Sequence, residues 1–502
     1  MSGRIAVIGG GHNGLTAAAF LARAGRDVVV VEARPVLGGL AARENFHGEF
    51  FVPGLLHHTS GVRRRLIEEL DLGRFGLTWC DPPDVWAPAK GGSGLWLRGD
   101  CIEGSLAYRD DERFAAYRAF IDRVRRAVDP VMDAPPADPK GRLWPLFTLG
   151  LNLRRLGAKD MVELLRIGPM STFDWMHELF QGERLRAALA ASAIEGTFAG
   201  PRSPGSAANL LIRECTAGAE VQGGPASLIS AVAGAARSHG AEIRTHARVS
   251  RITVGSDSAV TGIEIDGGEV IRADIVVASC DPKTVFLDLI GSEYLPARLA
   301  TDIGRIRTRG TTAKVHLAIS GSIESKDGEP VEALRTGESL DDLERAFDAA
   351  KYGEISSRPV LDVRVPSLSD PDLCPEGHHV VSILAHFAAR DLRGSWNDIQ
   401  RETLGRVVIE TLAEHVPGLS ERIVAREILS PIDIESHYGV SGGHIYHGEH
   451  APDQLLFMRP TIQCAKYATP IRGLFLCGSG SHPGGGITCG PGALAAKTIL
   501  GQ

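Results

Sequence analysis

Arg4-Ile5-Ala6-Val7-Ile8-Gly9-Gly10-Gly11-His12-Asn13-Gly14 is the stretch that decides the fold. Residues 4–9 form a short β-branched run, the pattern of a buried parallel strand. Gly9, Gly11 and Gly14 complete a Gly-x-Gly-x-x-Gly spacing, residues 15–24 read as a helix, and Gly25 stands where a helix stop is wanted. A second strand over residues 27–31 closes on Glu32, 18 positions after Gly14. The glycine spacing alone describes any flexible loop. With strand, helix, second strand and acid in register it describes a dinucleotide site. Gly9 permits the tight turn, Gly11 lets backbone approach a pyrophosphate, and Gly14 lets helix and strand pack closely. The helix start offers free N–H groups and partial positive charge to phosphate. Glu32 accepts hydrogen bonds from ribose hydroxyls and disfavours a 2′-phosphate, so FAD or NAD is expected over NADP.

Working outward, Glu32-Ala33-Arg34 leads into a second glycine pair, Gly38-Gly39, followed by Leu40-Ala41. At the far end, residues 474–477 read as a buried strand entering Gly478-Ser479-Gly480-Ser481-His482-Pro483-Gly484-Gly485-Gly486-Ile487-Thr488, and residues 493–500 as a closing helix. A glycine-dense loop ahead of a helix again sets backbone N–H groups against an electron-rich ligand. In the middle, Gly223-Gly224 opens a helix over residues 227–239. Short strands follow over 241–244, 249–254, 260–265 and 269–271, then a buried strand over 274–279.

Residues 5–41 resemble the FAD-dependent amine-oxidase superfamily, in which Arg-x-x-x-Gly-Gly follows the ribose-binding acid and wraps the pyrophosphate. The C-terminal loop resembles the phytoene desaturase-like group of that superfamily. The resemblance implies an α/β fold: a discontinuous Rossmann-type (GR2-like) FAD-binding domain with an inserted mixed α/β substrate domain and a helical lid. It implies FAD as cofactor, held by Gly9, Gly11, His12, Asn13, Gly14, Glu32, Ala33, Arg34, Gly38, Gly39 and Leu40. Val249 is implied at the adenine, Gly478 and Ser479 near the ribityl–phosphate region, and Gly486, Ile487 and Thr488 at the isoalloxazine edge. Many relatives carry an acid where Ser479 stands. The implied segments are 1–84, 216–289 and 436–502 for FAD, 85–215 for a helical lid, and 290–435 for a mixed α/β substrate-binding part.

The 502 residues carry 54 Lys+Arg against 61 Asp+Glu, a net charge of -7, which leaves no basic footprint for nucleic acid. Eight scattered cysteines with no Cys-x-x-Cys disfavour a zinc ribbon, a disulfide scaffold or a dithiol reductase and suit a reducing, cytoplasmic setting. No uninterrupted apolar run reaches about 18 residues, so no spanning helix is expected. Residues 143–151, apolar, followed by Arg154-Arg155, read as a core helix or as a membrane-surface contact.

No second glycine motif with strand, helix and acid occurs downstream, so a separate NAD(P)H domain is not expected. The flavin is then reduced by the organic substrate, through hydride transfer from a C–H bond, and reoxidised by O2 or a quinone. The resemblance points to desaturation of a hydrophobic, polyene- or lipid-like substrate. Isomerisation or saturation of a C=C bond and an amine-oxidase-like reaction are alternatives. A flavin-free prenyl-lipid escort, as in Rab GDP-dissociation inhibitors, is the alternative from another class. Candidate catalytic groups are His482, His58 and Tyr438, since imidazole exchanges protons near neutrality. His57, His437, His444 and Tyr446 are further polar candidates, and each single His is more often a satisfied structural residue. No metal constellation is expected, because the Gly-Gly before His444, His447 and His450 argues against a shared helix face.

Overall fold

The computed structural model describes residues 3–90, 92–104, 109–136, 150 and 154–501. Strand β1 (Ile5–Ile8), helix α1 (His12–Arg23) and strand β2 (Val28–Val31) form the opening βαβ unit. The middle of the chain adds helix α2 (Gly224–Ser238), strand β3 (Glu242–Arg244) and strand β4 (Ile275–Ala278). The end adds strand β5 (Leu474–Leu476) and helix α3 (Gly490–Leu500). All five strands pair in parallel, in the order β3-β2-β1-β4-β5.

Four of the strands are apolar at every position because both faces of this sheet are covered there, while the edge strand β3, Glu242-Ile243-Arg244, is not. Ile5, Val7, Val28 and Val30 pack under α1, α2 and α3. Ala6, Ile8, Val29 and Val31 pack against a three-stranded antiparallel sheet built from Val249–Val254, Val260–Ile265 and Val270–Arg272. Alternate side chains point to opposite faces, so a strand buried on both sides loses its polar alternation. Each buried valine contributes on the order of 2 kcal/mol, and Val30→Asp would bury a charge against α1.

The helices come close enough to require glycine. A Cβ on Gly14 would lie 2.0 Å from the Gly9 carbonyl oxygen, and one on Gly492 of α3 would lie 2.1 Å from that of Asn13. The tail of the chain is thus pressed onto the turn that opens it. The Asn13 amide donates to Ser479 Oγ across the same contact at 3.2 Å.

The second layer holds an eight-stranded sheet, in order Ile423–Leu429, Thr312–Ser320, His378–His386, Val360–Arg364, Ala333–Arg335, Val85–Ala89, Gly92–Arg98 and Cys101–Gly104. Neighbours are antiparallel except Ala333–Arg335 with Val85–Ala89. Helices Asp111–Met132, Thr172–Leu179, Glu183–Ala190 and Ser206–Thr216 form a cluster with its own apolar core beside this sheet. Residues 85–104, grouped by sequence with the helical lid, are three strands of this sheet. Residues 157–179 hold two helices, Gly157–Ile167 and Thr172–Leu179. Pro169 has no N–H to continue the first, and Ser171 starts the second by accepting from the Asp174 N–H at 3.0 Å. Apart from Gly150, Arg154 and Arg155, the segment read as a core helix or membrane contact lies outside the described residues. Among the described residues no helix is long and apolar enough to cross a membrane.

Candidate active site

The opening turn and the second glycine pair are built against one another. Gly38 N–H donates to the Gly10 carbonyl at 2.8 Å, and Gly11 and Gly38 form a parallel bridge. The buried Glu32 carboxylate accepts from the N–H groups of Gly10 (2.7 Å) and Arg34 (2.8 Å), which fixes it at the tip of β2. Ala247 N–H donates to the Glu32 carbonyl at 2.8 Å and His246 N–H to that of Arg34 at 3.2 Å, so the approach to Val249 lies beside the acid. Arg34 turns outward to Glu44 (2.5 Å) and stacks 4.7 Å from the Tyr438 ring.

These residues fit a flavin dinucleotide. At the start of α1, His12 Nε2 and Asn13 Oδ1 are buried without a hydrogen-bond partner. Buried polar atoms of this kind are ordinarily satisfied. A Cβ on Gly11 would meet nothing nearer than the Gly38 carbonyl oxygen at 3.9 Å, so the approach to this turn is open where Gly14 is closed. Burial lowers the His12 pKa to about 4, leaving a neutral ring at that helix start.

The C-terminal loop is held from behind by Arg459. Its guanidinium is buried and donates to the carbonyls of Ser479 (2.8 Å), Tyr446 (2.6 Å) and Gly448 (3.2 Å). Burial lowers its pKa to about 9. Arg63 N–H donates to the Thr488 carbonyl at 2.8 Å, tying the other end of the loop to segment 1–84.

A cavity of about 220 Å³ opens beside Gly485, Gly486, Ile487 and Thr488. Leu56, Val85, Met132 and Ile212 give it an apolar side. The lining is also charged. Tyr446 packs on the glycine loop, donates to Glu195 Oε1 (2.5 Å) and accepts from Arg213 Nη1 (2.6 Å), while Arg213 Nη2 meets Glu195 Oε2 at 2.6 Å. Burial and Glu195 push the Tyr446 hydroxyl up, so it stays protonated. Glu195 is held below the usual carboxylate range, because burial raises it and Arg213, His58, His386 and the Tyr446 hydrogen bond together more than offset that.

Behind His58 on the cavity wall lies a buried polar cluster. His57 and His58 Nε2 stand 3.4 and 3.1 Å from Asp362 Oδ1, and Arg335 Nε bonds Asp362 Oδ2 at 3.0 Å. Lys314 Nζ is 3.2 Å from His57 Nδ1, and Arg364 Nη2 is 3.0 Å from His58 Nδ1 and 2.8 Å from Glu220 Oε1. Burial pulls Lys314 down to about 7, with Asp362 and Glu195 opposing. Burial raises Asp362, but His58, Arg335 and His57 outweigh it and hold the carboxyl well below its usual range. Among the described residues this trio alone has ligand atoms close enough for a metal, within 4.8 Å. Arg335, Arg364 and Lys314 converge on it, and their positive charge opposes a metal cation there.

Of the sequence candidates, His58 lines the cavity. His482 is fully buried with Nε2 3.0 Å from the Val131 carbonyl, and burial lowers it to about 4. Tyr438 donates to Glu44 at 3.0 Å, in the cluster with Arg34. Neither His482 nor Tyr438 lines the cavity. Glu195, Arg213, Glu220, Arg335 and Arg364 were missed. A signal existed for part of this wall: Asp362 and Arg364 interrupt the apolar strand Val360–Arg364, as Lys314 and His316 interrupt Thr312–Ser320. A larger open depression of about 500 Å³ between residues 351–353 and 390–396 is lined by neither glycine loop.

Comparison with known proteins agrees with this geometry. The chain is 33% identical to the rat pyridine nucleotide-disulfide oxidoreductase domain-containing protein 2, over 98% of this chain and 92% of that protein. It is 28% identical to a limonene dehydrogenase chain of Castellaniella defragrans (99% and 94% covered) and 26% identical to hydroxyneurosporene desaturase of Cereibacter sphaeroides (99% and 97%). Among solved structures, putrescine oxidase bound to putrescine superposes with a TM-score of 0.63 at 15% identity, covering 100% of both chains. An oxidoreductase from Methanosarcina mazei superposes at 0.60 with 16% identity, covering 99% and 100%. The model of the flavin-containing amine oxidoreductases matches residues 14–496. The chain belongs to that family, on its phytoene desaturase-like side, and is an FAD-dependent oxidoreductase.

Proposed function

We propose that this enzyme dehydrogenates a small organic substrate with an apolar body, with O2 or a quinone as final acceptor. FAD, when bound, supplies the two-electron acceptor for hydride leaving a substrate C–H bond. The observation that carries this reading is the cavity beside Gly485–Thr488, lined by the apolar Leu56, Met132 and Ile212 and by paired charges. Desaturation removes a proton together with the hydride. Glu195 is the group placed to receive it, through the hydroxyl of Tyr446: the proton passes to the Tyr446 oxygen as the phenolic proton moves to Glu195, over a 2.5 Å contact. Arg213 holds both partners in place. His58 lies between Asp362, 3.1 Å from its Nε2, and Arg364, 3.0 Å from its Nδ1, and serves to position them.

The cofactor segments 1–84, 216–289 and 436–502, with the residues assigned to FAD above, are part of the same proposal. It is supported by the open approach at Gly11 and the unpartnered atoms of His12 and Asn13. The test is purification followed by anaerobic mixing with candidate substrates. A yellow protein bleached by an organic substrate without added NAD(P)H is the expected result. A colourless protein that cannot be reconstituted with FAD would favour the lipid-escort alternative. Glu195→Gln should slow bleaching at saturating substrate by about 10²-fold with unchanged FAD content.

A further inference from the structure

The charged wall of the cavity constrains the substrate further. A plain hydrocarbon placed against Arg213, Arg335, Arg364, Glu195 and Glu220 would desolvate five charged groups and return no hydrogen bond to any of them. Such burial is costly. The wall is therefore built for a polar group, and its open valences say which kind. Each carboxylate on the lining already holds a donor: Glu195 Oε1 is taken by Tyr446 and Oε2 by Arg213, Glu214 Oε2 by Arg118, Glu220 Oε1 by Arg364 and Oε2 by Thr59 at 3.4 Å. The donors are not all taken. Arg364 makes its bonds to His58 and Glu220 through Nη2, and its Nε is buried with no partner. The Arg364 side chain is 10% exposed and lines both the main cavity and a second one of about 150 Å³. A guanidinium always remains charged and presents only donors.

We infer that the substrate carries a carboxylate bound by Arg364, with its apolar part reaching toward Ile487. This rests on the oxidoreductase function proposed above and names the substrate class of the same site. Arg213 and Arg335 stand on the same wall, each anchored by its own carboxylate, so an arriving anion meets oriented cations without reorganisation. Beyond Arg364 the second cavity turns acidic, with Asp81, Glu332 and Asp370, and the anion stops at the change of sign. Arg364 is thus a specificity-determining residue.

The test uses the FAD-loaded protein and follows the visible flavin spectrum while acetate, hexanoate, benzoate and phenylacetate are titrated, with benzylamine and cyclohexene in parallel. The expected result is a saturable spectral perturbation by at least one carboxylate, weakened about tenfold or more by Arg364→Met combined with Glu220→Gln. Arg364→Lys should restore part of the affinity. The double variant leaves no carboxylate stranded, and its FAD content reports folding. If no carboxylate perturbs the flavin, if benzylamine or cyclohexene binds at least as tightly, or if the double variant binds carboxylate as the parent does, the inference is overturned. A protein that holds no FAD overturns the oxidoreductase function itself, which separates the two failures.

Discussion

The two halves of the molecule differ in what they bury beside their apolar cores. The parallel sheet of five strands buries valine and isoleucine on both faces, and its function lies in backbone: glycine turns, N–H groups and one acid at a strand tip. The eight-stranded sheet buries lysine, histidine, aspartate and arginine on the strands that face the cavity, and its function lies in side chains. A half that holds a common cofactor works through shape that few residue types can provide. A half that recognises a particular substrate works through charges whose identity can vary while the sheet persists.

That contrast can be broken most severely on the cofactor side. Gly492→Val places a branched side chain into the Asn13 carbonyl and should cost about 3 kcal/mol or more, lowering both the melting temperature and FAD content. A stable, yellow variant would show that tail and opening turn need not touch. Gly11→Val acts on the ligand alone, since its Cβ meets no protein atom closer than 3.9 Å. FAD content should fall at least about tenfold with the apoprotein melting temperature nearly unchanged, given the close approach a pyrophosphate requires. Retained flavin would remove the turn from the cofactor site.

On the substrate side the sharper probe is pH. Lys314 is buried and its pKa falls from 10.5 to about 7 on folding. Between those values the unfolded chain keeps a proton that the folded chain has released, so this group makes stability rise with pH through the window. Below about pH 7 the penalty is complete. Lys314→Met should therefore raise the melting temperature more at pH 6 than at pH 10, and a pH-independent difference would contradict the burial effect. The smallest effect is expected at the seam between head and tail. Ser479→Ala removes the 3.2 Å bond to Asn13 and should cost about 1 kcal/mol in denaturant unfolding.

How much of this was legible in the sequence follows the same division. The cofactor elements declare themselves locally: Val28–Val31 can only be a strand covered twice, and the acid after it has one place to stand. The strand over residues 275–278 and that over 474–476 are recognisable in the same way, although nothing local says that they are neighbours. The charged wall was not legible as a site, because Glu195, Arg213, Arg364 and Tyr446 come from separate elements and no period relates them. The strands of residues 85–104 were hidden for a related reason. Their partners are Ala333–Arg335, more than two hundred residues away, and each other. His482 is the converse case. A histidine inside a cofactor motif invites a chemical role, yet its Nε2 faces the Val131 carbonyl and the residue does not line the cavity.

The seating of residues 474–500 against the first turn also matters for biosynthesis. Gly14 leaves the ribosome 460 residues before Leu474, so the opening βαβ unit waits through most of translation for the strand and helix that finish its cleft. Contacts of such sequence separation form slowly, and loop closure over that length carries an entropic cost only the completed core repays. Asn13 accordingly meets Ser479 and Gly492 only after nearly the whole chain has been made.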